Sequence, residues 1–238
     1  MTGHPPTLIV ALDVPDFAGA RALVERLGPL GVMFKIGFES LYAYGDEIHA
    51  LLADAPGGYF VDAKLHDIPR TVAAGMRGLV RPGVRIVNVH ALGGVEMMAA
   101  AVEAAAERAA ELGIPVPDIY AVTILTSIAP EDLRELGLVG GPGENVIRLA
   151  ALARDARCAG VVCSAHEVRD LKSFFGAEFG ALVGGIRPVG SALGDQRRAA
   201  TPREAVDAGA DYLVVGRPIT AAPDPVAAAQ AILAEMRA

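Results

Sequence analysis

The sequence contains no tryptophan, and aromatic residues fill only 5% of its 238 positions. Its core must therefore be aliphatic, and an apolar content of 53% is enough to build a large one. No apolar run reaches membrane-spanning length, so no membrane partner is expected. Cysteine is nearly absent. The two present, in Cys158-Ala-Gly-Val-Val-Cys163, match no zinc spacing and lie in an apolar run. Buried reduced thiols and a cytoplasmic protein are expected. Basic residues are few, 21 against 28 acidic ones for a net charge of −7, and they form no stripe. That excludes nucleic acid as a partner and leaves any cation at a site to serve a small anion. The N-terminus lacks the basic and apolar regions of a signal peptide, so none is expected. Also missing are GxGxxG, the P-loop, HExxH and GxSxG, and with them the chemistries that those motifs carry.

What is present is repetition of one unit. Eight short β-rich apolar runs fall at 8–14, 32–38, 59–65, 85–90, 119–125, 160–164, 181–186 and 212–216. Between most of them the apolar period is helical, as at 16–27, 39–52, 95–112 and 145–157. Alternation of this kind makes βαβ units and a parallel sheet. Runs such as Val161-Val162-Cys163 are apolar on both faces, as strands covered on both sides must be. Eight repeats in this length predict one (β/α)8 TIM barrel over 1–238. An open doubly wound sheet is the alternative, but its usual Gly-rich first turn is replaced by Asp13-Val-Pro-Asp16. The segment 187–200 has no apolar period and reads as a long functional loop.

Barrel chemistry belongs at the C-terminal strand ends. Polar residues collect there: Asp13 after the first strand, Lys35 in the second, Asn88 and His90 in the fourth, Thr126 and Ser127 after the fifth. The third strand carries Asp62, Lys64 and, just beyond, Asp67. Side chains alternate along a strand, so Asp62 and Lys64 face the axis while Val61, Ala63 and Leu65 face the helices. Charges so placed must be paired, and Lys35 on the adjacent strand completes the set. A lysine among carboxylates keeps its proton. It is then a proton donor, suited to stabilising and protonating a carbanion left by loss of CO2. The plainer reading is a buried ion pair shaping the barrel mouth, but a purely structural core rarely retains this many charges. Gly216-Arg217 after the eighth strand, with Arg187 after the seventh, matches the common phosphate position of such barrels.

Other polar residues receive blander readings. His66 and His90 are read as capping or core-polar groups in preference to metal ligands. His4, His49 and His166 are expected at the surface or at helix caps. Tyr42 and Tyr44 are expected to pack at helical spacing.

These motifs together resemble the orotidine 5′-phosphate decarboxylase family, of the bacterial type, over essentially the whole chain. The resemblance is carried by Val10-Ala-Leu-Asp13, Phe34-Lys35-Ile-Gly37, Asp62-Ala-Lys64-Leu-His-Asp67-Ile-Pro-Arg-Thr71, Asn88-Val-His90-Ala, Leu125-Thr126-Ser127, Gly185-Ile-Arg187-Pro188, Asp195-Gln196-Arg197 and Gly216-Arg217-Pro-Ile. It departs at Leu65, where an aromatic is common, and at Arg70, where a small polar residue is expected. The resemblance implies conversion of orotidine 5′-monophosphate to uridine 5′-monophosphate in pyrimidine biosynthesis, without cofactor or metal. It implies Lys64 as proton donor, with Lys35, Asp62 and Asp67 completing the charged network beside the substrate. Asp13 and Lys35 would hold ribose hydroxyls, and Thr126 or Ser127 would lie near the pyrimidine. Arg187, Gln196, Gly216 and Arg217 would hold the phosphate, with 187–200 closing over it. Asp67, Ile68 and Thr71 would reach the site of a second subunit, making a homodimer.

Two rivals stand beside this reading. Magnesium-dependent sugar-phosphate decarboxylases and aldolases of the same superfamily, such as 3-keto-gulonate 6-phosphate decarboxylase, share Asp-x-Lys-x-x-Asp. They place a metal-binding carboxylate on the second strand, where this chain has Lys35. A non-catalytic nucleotide-binding barrel would need the phosphate site but not the four charges.

Overall fold

A computed structural model describes residues 5–188 and 198–237. Eight parallel strands close into a barrel in chain order: β1 (Thr7–Ala11), β2 (Met33–Ile36), β3 (Tyr59–Leu65), β4 (Val84–His90), β5 (Asp118–Val122), β6 (Gly160–Cys163), β7 (Gly180–Val183) and β8 (Tyr212–Val215). The expected (β/α)8 architecture is thus present. Closure is made by β1 against β8, with Thr7 opposite Tyr212 and Val10 opposite Val215.

The surrounding helices are α1 (Phe17–Leu27), α2 (Phe38–Tyr44), α3 (Asp46–Leu52), α4 (Pro69–Leu79), α5 (Gly94–Leu112), α6 (Pro130–Glu135), α7 (Pro142–Asp155), α8 (Ala165–Phe175), α9 (Pro202–Ala208), α10 (Arg217–Thr220) and α11 (Pro225–Glu235). Their starts are written in the sequence. Asp16 accepts the Gly19 N–H at 2.7 Å, Asp224 caps α11, and proline opens α4, α6, α7, α9 and α11. The helix expected over 39–52 is two helices. Gly45, at φ 48° and ψ −122°, breaks it in a conformation that side chains rarely adopt.

Most strands end earlier than their apolar runs. β1 stops at Ala11 and β7 at Val183. Beyond those points the chain leaves the ladder to bring Asp13 and Arg187 to the mouth. The large apolar core fills the layer between strands and helices. A smaller cluster of Ile9, Met33, Phe60, Ile86, Tyr120 and Leu182 plugs the barrel interior and forms the floor beneath the mouth. Cys158 and Cys163 are buried and unpaired, as expected. Among the described residues no helix is long and apolar enough to cross a membrane.

One minor expectation is corrected. His49 is buried, not at the surface: the break at Gly45 turns α3 so that its Nδ1 meets the Tyr59 hydroxyl at 2.9 Å. Tyr42 stacks on Phe38 at helical spacing, with ring centroids 5.8 Å apart, but remains 83% exposed because α2 presents that face outward.

Candidate active site

A cavity of about 430 Å³ opens at the C-terminal mouth. Phe60, Asp62 and Lys64 line it from one side of β3, while Ala63 and Leu65 pack outward against the helix layer. The alternation is not regular, however. Val61 pairs with Val87 and Leu65 with Val89, so β3 advances four residues where β4 advances two. This bulge places Lys64 at φ 43°. A non-glycine residue there costs about 1–3 kcal/mol and persists only when its surroundings enforce it. Asn88, fully buried on β4, does so: its Oδ1 accepts the Lys64 backbone N–H at 2.7 Å.

The same asparagine donates through Nδ2 to Asp62 Oδ1 at 2.6 Å. That oxygen also accepts from the Lys64 ammonium at 2.6 Å. The other oxygen, Oδ2, lies 3.6 Å from Lys35 Nζ. Lys35 in turn touches both oxygens of Asp13 at 2.8 Å. The order Asp13–Lys35–Asp62–Lys64 therefore alternates in sign across β1, β2 and β3. Lys35 is only 6% exposed and would be untenable without its two carboxylates. Burial alone opposes ionisation of Asp62, but Lys35, Lys64 and the hydrogen bonds from Lys64 and Asn88 together hold its carboxyl below the usual range. Gly37 leaves the room required, since a Cβ there would lie 3.1 Å from Lys35 Nζ. The Lys64 ammonium also sits 5.7 Å from the centre of the Phe38 ring.

The wall built by the ends of β7 and β8, which meets β1 where the barrel closes, is suited to an anion. Gly184, Gly185, Arg187, Gly216 and Arg217 line it from the ends of β7 and β8. Arg187 is fixed through its backbone, whose N–H donates to Ala200 at 2.8 Å. Thr126 and Leu125, after β5, line the wall between the two ends.

The family with which residues 6–232 match is described as "Orotidine 5'-phosphate decarboxylase / HUMPS family". The chain belongs to this family. It is 52% identical over 230 residues to the orotidine 5′-phosphate decarboxylase of Moorella thermoacetica, covering 96% of this chain and 91% of that protein. With the enzyme of the same name from Halorhodospira halophila the identity is 50%, over 98% of this chain and 97% of the relative. The crystal structure of orotidine 5′-phosphate decarboxylase from Lactobacillus acidophilus superimposes with a TM-score of 0.84 at 37% identity, covering 99% and 100% of the two chains.

For this member of the decarboxylase family, the cavity brings together Asp13, Lys35, Asp62, Lys64, Thr126, Arg187, Gly216 and Arg217. Ser127 is exposed and does not line it. Asp67, Ile68 and Thr71 also lie outside it. Asp67 Oδ1 accepts the Ile68 N–H at 2.6 Å, and Ile68 is 66% exposed. Gln196 and most of the 187–200 loop lie outside the described residues. His66 and His90 stack with ring centroids 5.2 Å apart, and neither lines the cavity. Burial, then His66 and Lys64, pushes the His90 imidazole down to about 4.

In the sequence Asn88 stands out only as a strand-end polar group, with nothing that joins it to the array. A buried amide on the strand beside Asp62 and Lys64 was the available signal, because lone pairs and ammonium protons facing an apolar floor need such partners. Gly37 and Phe38 likewise stand beside Lys35 in the sequence, where no pattern gives them a role.

Proposed function

We propose that this chain converts orotidine 5′-monophosphate to uridine 5′-monophosphate and CO2, with Lys64 as the proton donor. The observation that carries the reading is the alternating row Asp13–Lys35–Asp62–Lys64 in one cavity that Arg187 and Arg217 also line. The phosphate would be held by Arg187, Arg217, the Gly216 backbone and Gln196. The ribose hydroxyls would meet Asp13 and Lys35. The pyrimidine would then lie beside Thr126, with its carboxylate directed at Asp62 and Lys64.

Breaking the carbon–carboxylate bond leaves its electron pair on the ring carbon. The Lys64 ammonium stabilises that pair by fixed charge and then supplies the proton, which solvent restores. Asp62 holds the ammonium in place. Holding the phosphate end firmly assists because binding energy from a non-reacting group is used to orient the reacting one.

Lys35 argues against the magnesium-dependent sugar-phosphate rival, since an ammonium cannot ligate a metal where that chemistry requires a carboxylate. A non-catalytic barrel has no use for four paired charges at its mouth with Lys35 buried among them, an arrangement that costs stability unless it serves chemistry.

The dimer belongs to the same proposal. Phe38, Ile68 and Leu92 follow the neighbouring strands β2, β3 and β4 and are 49%, 66% and 45% exposed, which would suit an apolar rim at these strand ends. A second copy covering that rim would receive Asp67, Ile68 and Thr71 at its own cavity. Two buried thiols, both unpaired, fit a reducing cytoplasm.

The test is turnover in heavy water followed by NMR of the product. One deuterium at the carbon that lost CO2 is expected. A folded protein that forms no uridine 5′-monophosphate overturns the reading.

A further inference from the structure

The walls of the cavity at β5, β6 and β7 are joined by a residue that does not line it. Ile186 and Ala200 form an isolated parallel bridge that fastens the two ends of the 187–200 segment together. Two residues before Ala200, the Arg198 side chain is only 14% exposed. Its Nη1 pairs with Glu167 Oε1 on α8. Its Nη2 donates to the Ile124 carbonyl at 3.1 Å and lies 3.4 Å from that of Leu125. Glu167 is committed as well: its Oε2 accepts the Ser164 N–H at 2.9 Å, closing the end of β6. Burial pushes the Glu167 carboxyl above its ordinary range, and the Arg198 guanidinium is the largest influence opposing that.

The consequence lies in the neighbours of these groups. Leu125 precedes Thr126, Ser164 follows Cys163, and Arg187 is bridged to Ala200; Thr126, Cys163 and Arg187 all line the cavity. We infer that Arg198 is a positioning residue: one buried guanidinium fixes the end of β5, bearing Thr126, relative to the end of β7, bearing Arg187. It thereby sets the span between the base end and the phosphate end. The inference rests on the roles proposed above for Thr126 and Arg187. A planar fork that reaches a carboxylate and two carbonyls suits arginine. Lysine would keep the charge beside Glu167 but not the fork geometry.

The experiment compares wild type, Arg198→Lys and Arg198→Met in steady-state turnover of orotidine 5′-monophosphate, well below each unfolding midpoint. Calorimetric affinities for uridine 5′-monophosphate and inorganic phosphate accompany it. The expected result is a fall in kcat/KM of about 10- to 100-fold in Arg198→Met, the scale of a small misplacement of reacting groups. Arg198→Lys should be intermediate. Nucleotide affinity should weaken while phosphate affinity holds, because a span error affects only a ligand that bridges both ends. Kinetics and nucleotide affinity indistinguishable from wild type in folded variants overturn the inference. So does loss of phosphate affinity in step with nucleotide affinity, which would make Arg198 a direct phosphate ligand. If Arg198→Met does not fold, Arg198→Lys decides alone. A wild-type protein inactive on orotidine 5′-monophosphate removes the proposed reaction, and the nucleotide-to-phosphate affinity ratio still decides Arg198.

Discussion

Asn88 holds Lys64 at both ends of its short reach: its Oδ1 accepts the Lys64 backbone N–H at 2.7 Å, and its Nδ2 donates to the carboxylate oxygen that also binds the Lys64 ammonium. The strained backbone at φ 43° is therefore part of the arrangement that aims the ammonium. Asn88→Ala leaves that N–H and Asp62 each one partner short. A loss of stability of about 1–3 kcal/mol is expected from a buried group left unsatisfied, with a fall in kcat exceeding the change in KM. Denaturant midpoints and steady-state kinetics check both parts, and unchanged kcat would detach Asn88 from the chemistry.

Lys64→Ala is expected to lower kcat by at least about 10²–10⁴-fold, the range usual for a positioned proton donor. Uridine 5′-monophosphate should still bind, because Arg187 and Arg217 line the cavity from β7 and β8 while Lys64 stands on β3. Calorimetry with the product, beside the rate measurement, separates lost chemistry from lost binding. Turnover that survives the substitution would remove Lys64 from the mechanism.

Acid should destabilise the protein through two histidines. Burial pushes both His49 and His90 down to about 4 from an unfolded value of 6.5. Between those values the unfolded chain binds protons that the folded one refuses, so stability falls as the pH drops from about 6.5 to about 4. The contribution is complete above that window. Unfolding midpoints across it should show a shallower slope in His49→Gln than in wild type, since glutamine does not titrate. An identical slope would mean that His49 is not held neutral.

Much of this site was legible in the sequence, and the exceptions share a cause. Alternation puts Asp62 and Lys64 on one face, and the rule that barrel chemistry sits at strand C-termini brings in Lys35, Arg187 and Arg217. The bulge at Lys64 was not visible, because it depends on the register of β3 against β4, which no pattern within one strand encodes. For the same reason Asn88 could be seen as polar but not as a partner. The burial of His49 is hidden from the helical period because a single glycine, Gly45, redirects its helix. Composition could not separate Thr126 from Ser127, since adjacent residues differ only in which way the loop turns them. Asp67, Ile68 and Thr71 sit outside the cavity of a single chain, where the proposed dimer would require them to be.

That dimer has its own test. Leu92→Glu adds a charge to the proposed apolar rim without touching the cavity. Analytical ultracentrifugation should find wild type dimeric and the variant shifted to monomer, with activity lost in proportion. A monomeric, fully active wild type would discard the shared site.

The most direct measurement treats the purified protein with EDTA, adds orotidine 5′-monophosphate and follows its near-ultraviolet absorbance. Rapid loss of absorbance with uridine 5′-monophosphate formed is the predicted result, since Lys64 and its carboxylates suffice for the proposed chemistry. No loss in a folded protein, with activity appearing on a sugar phosphate only after magnesium is added, would contradict it.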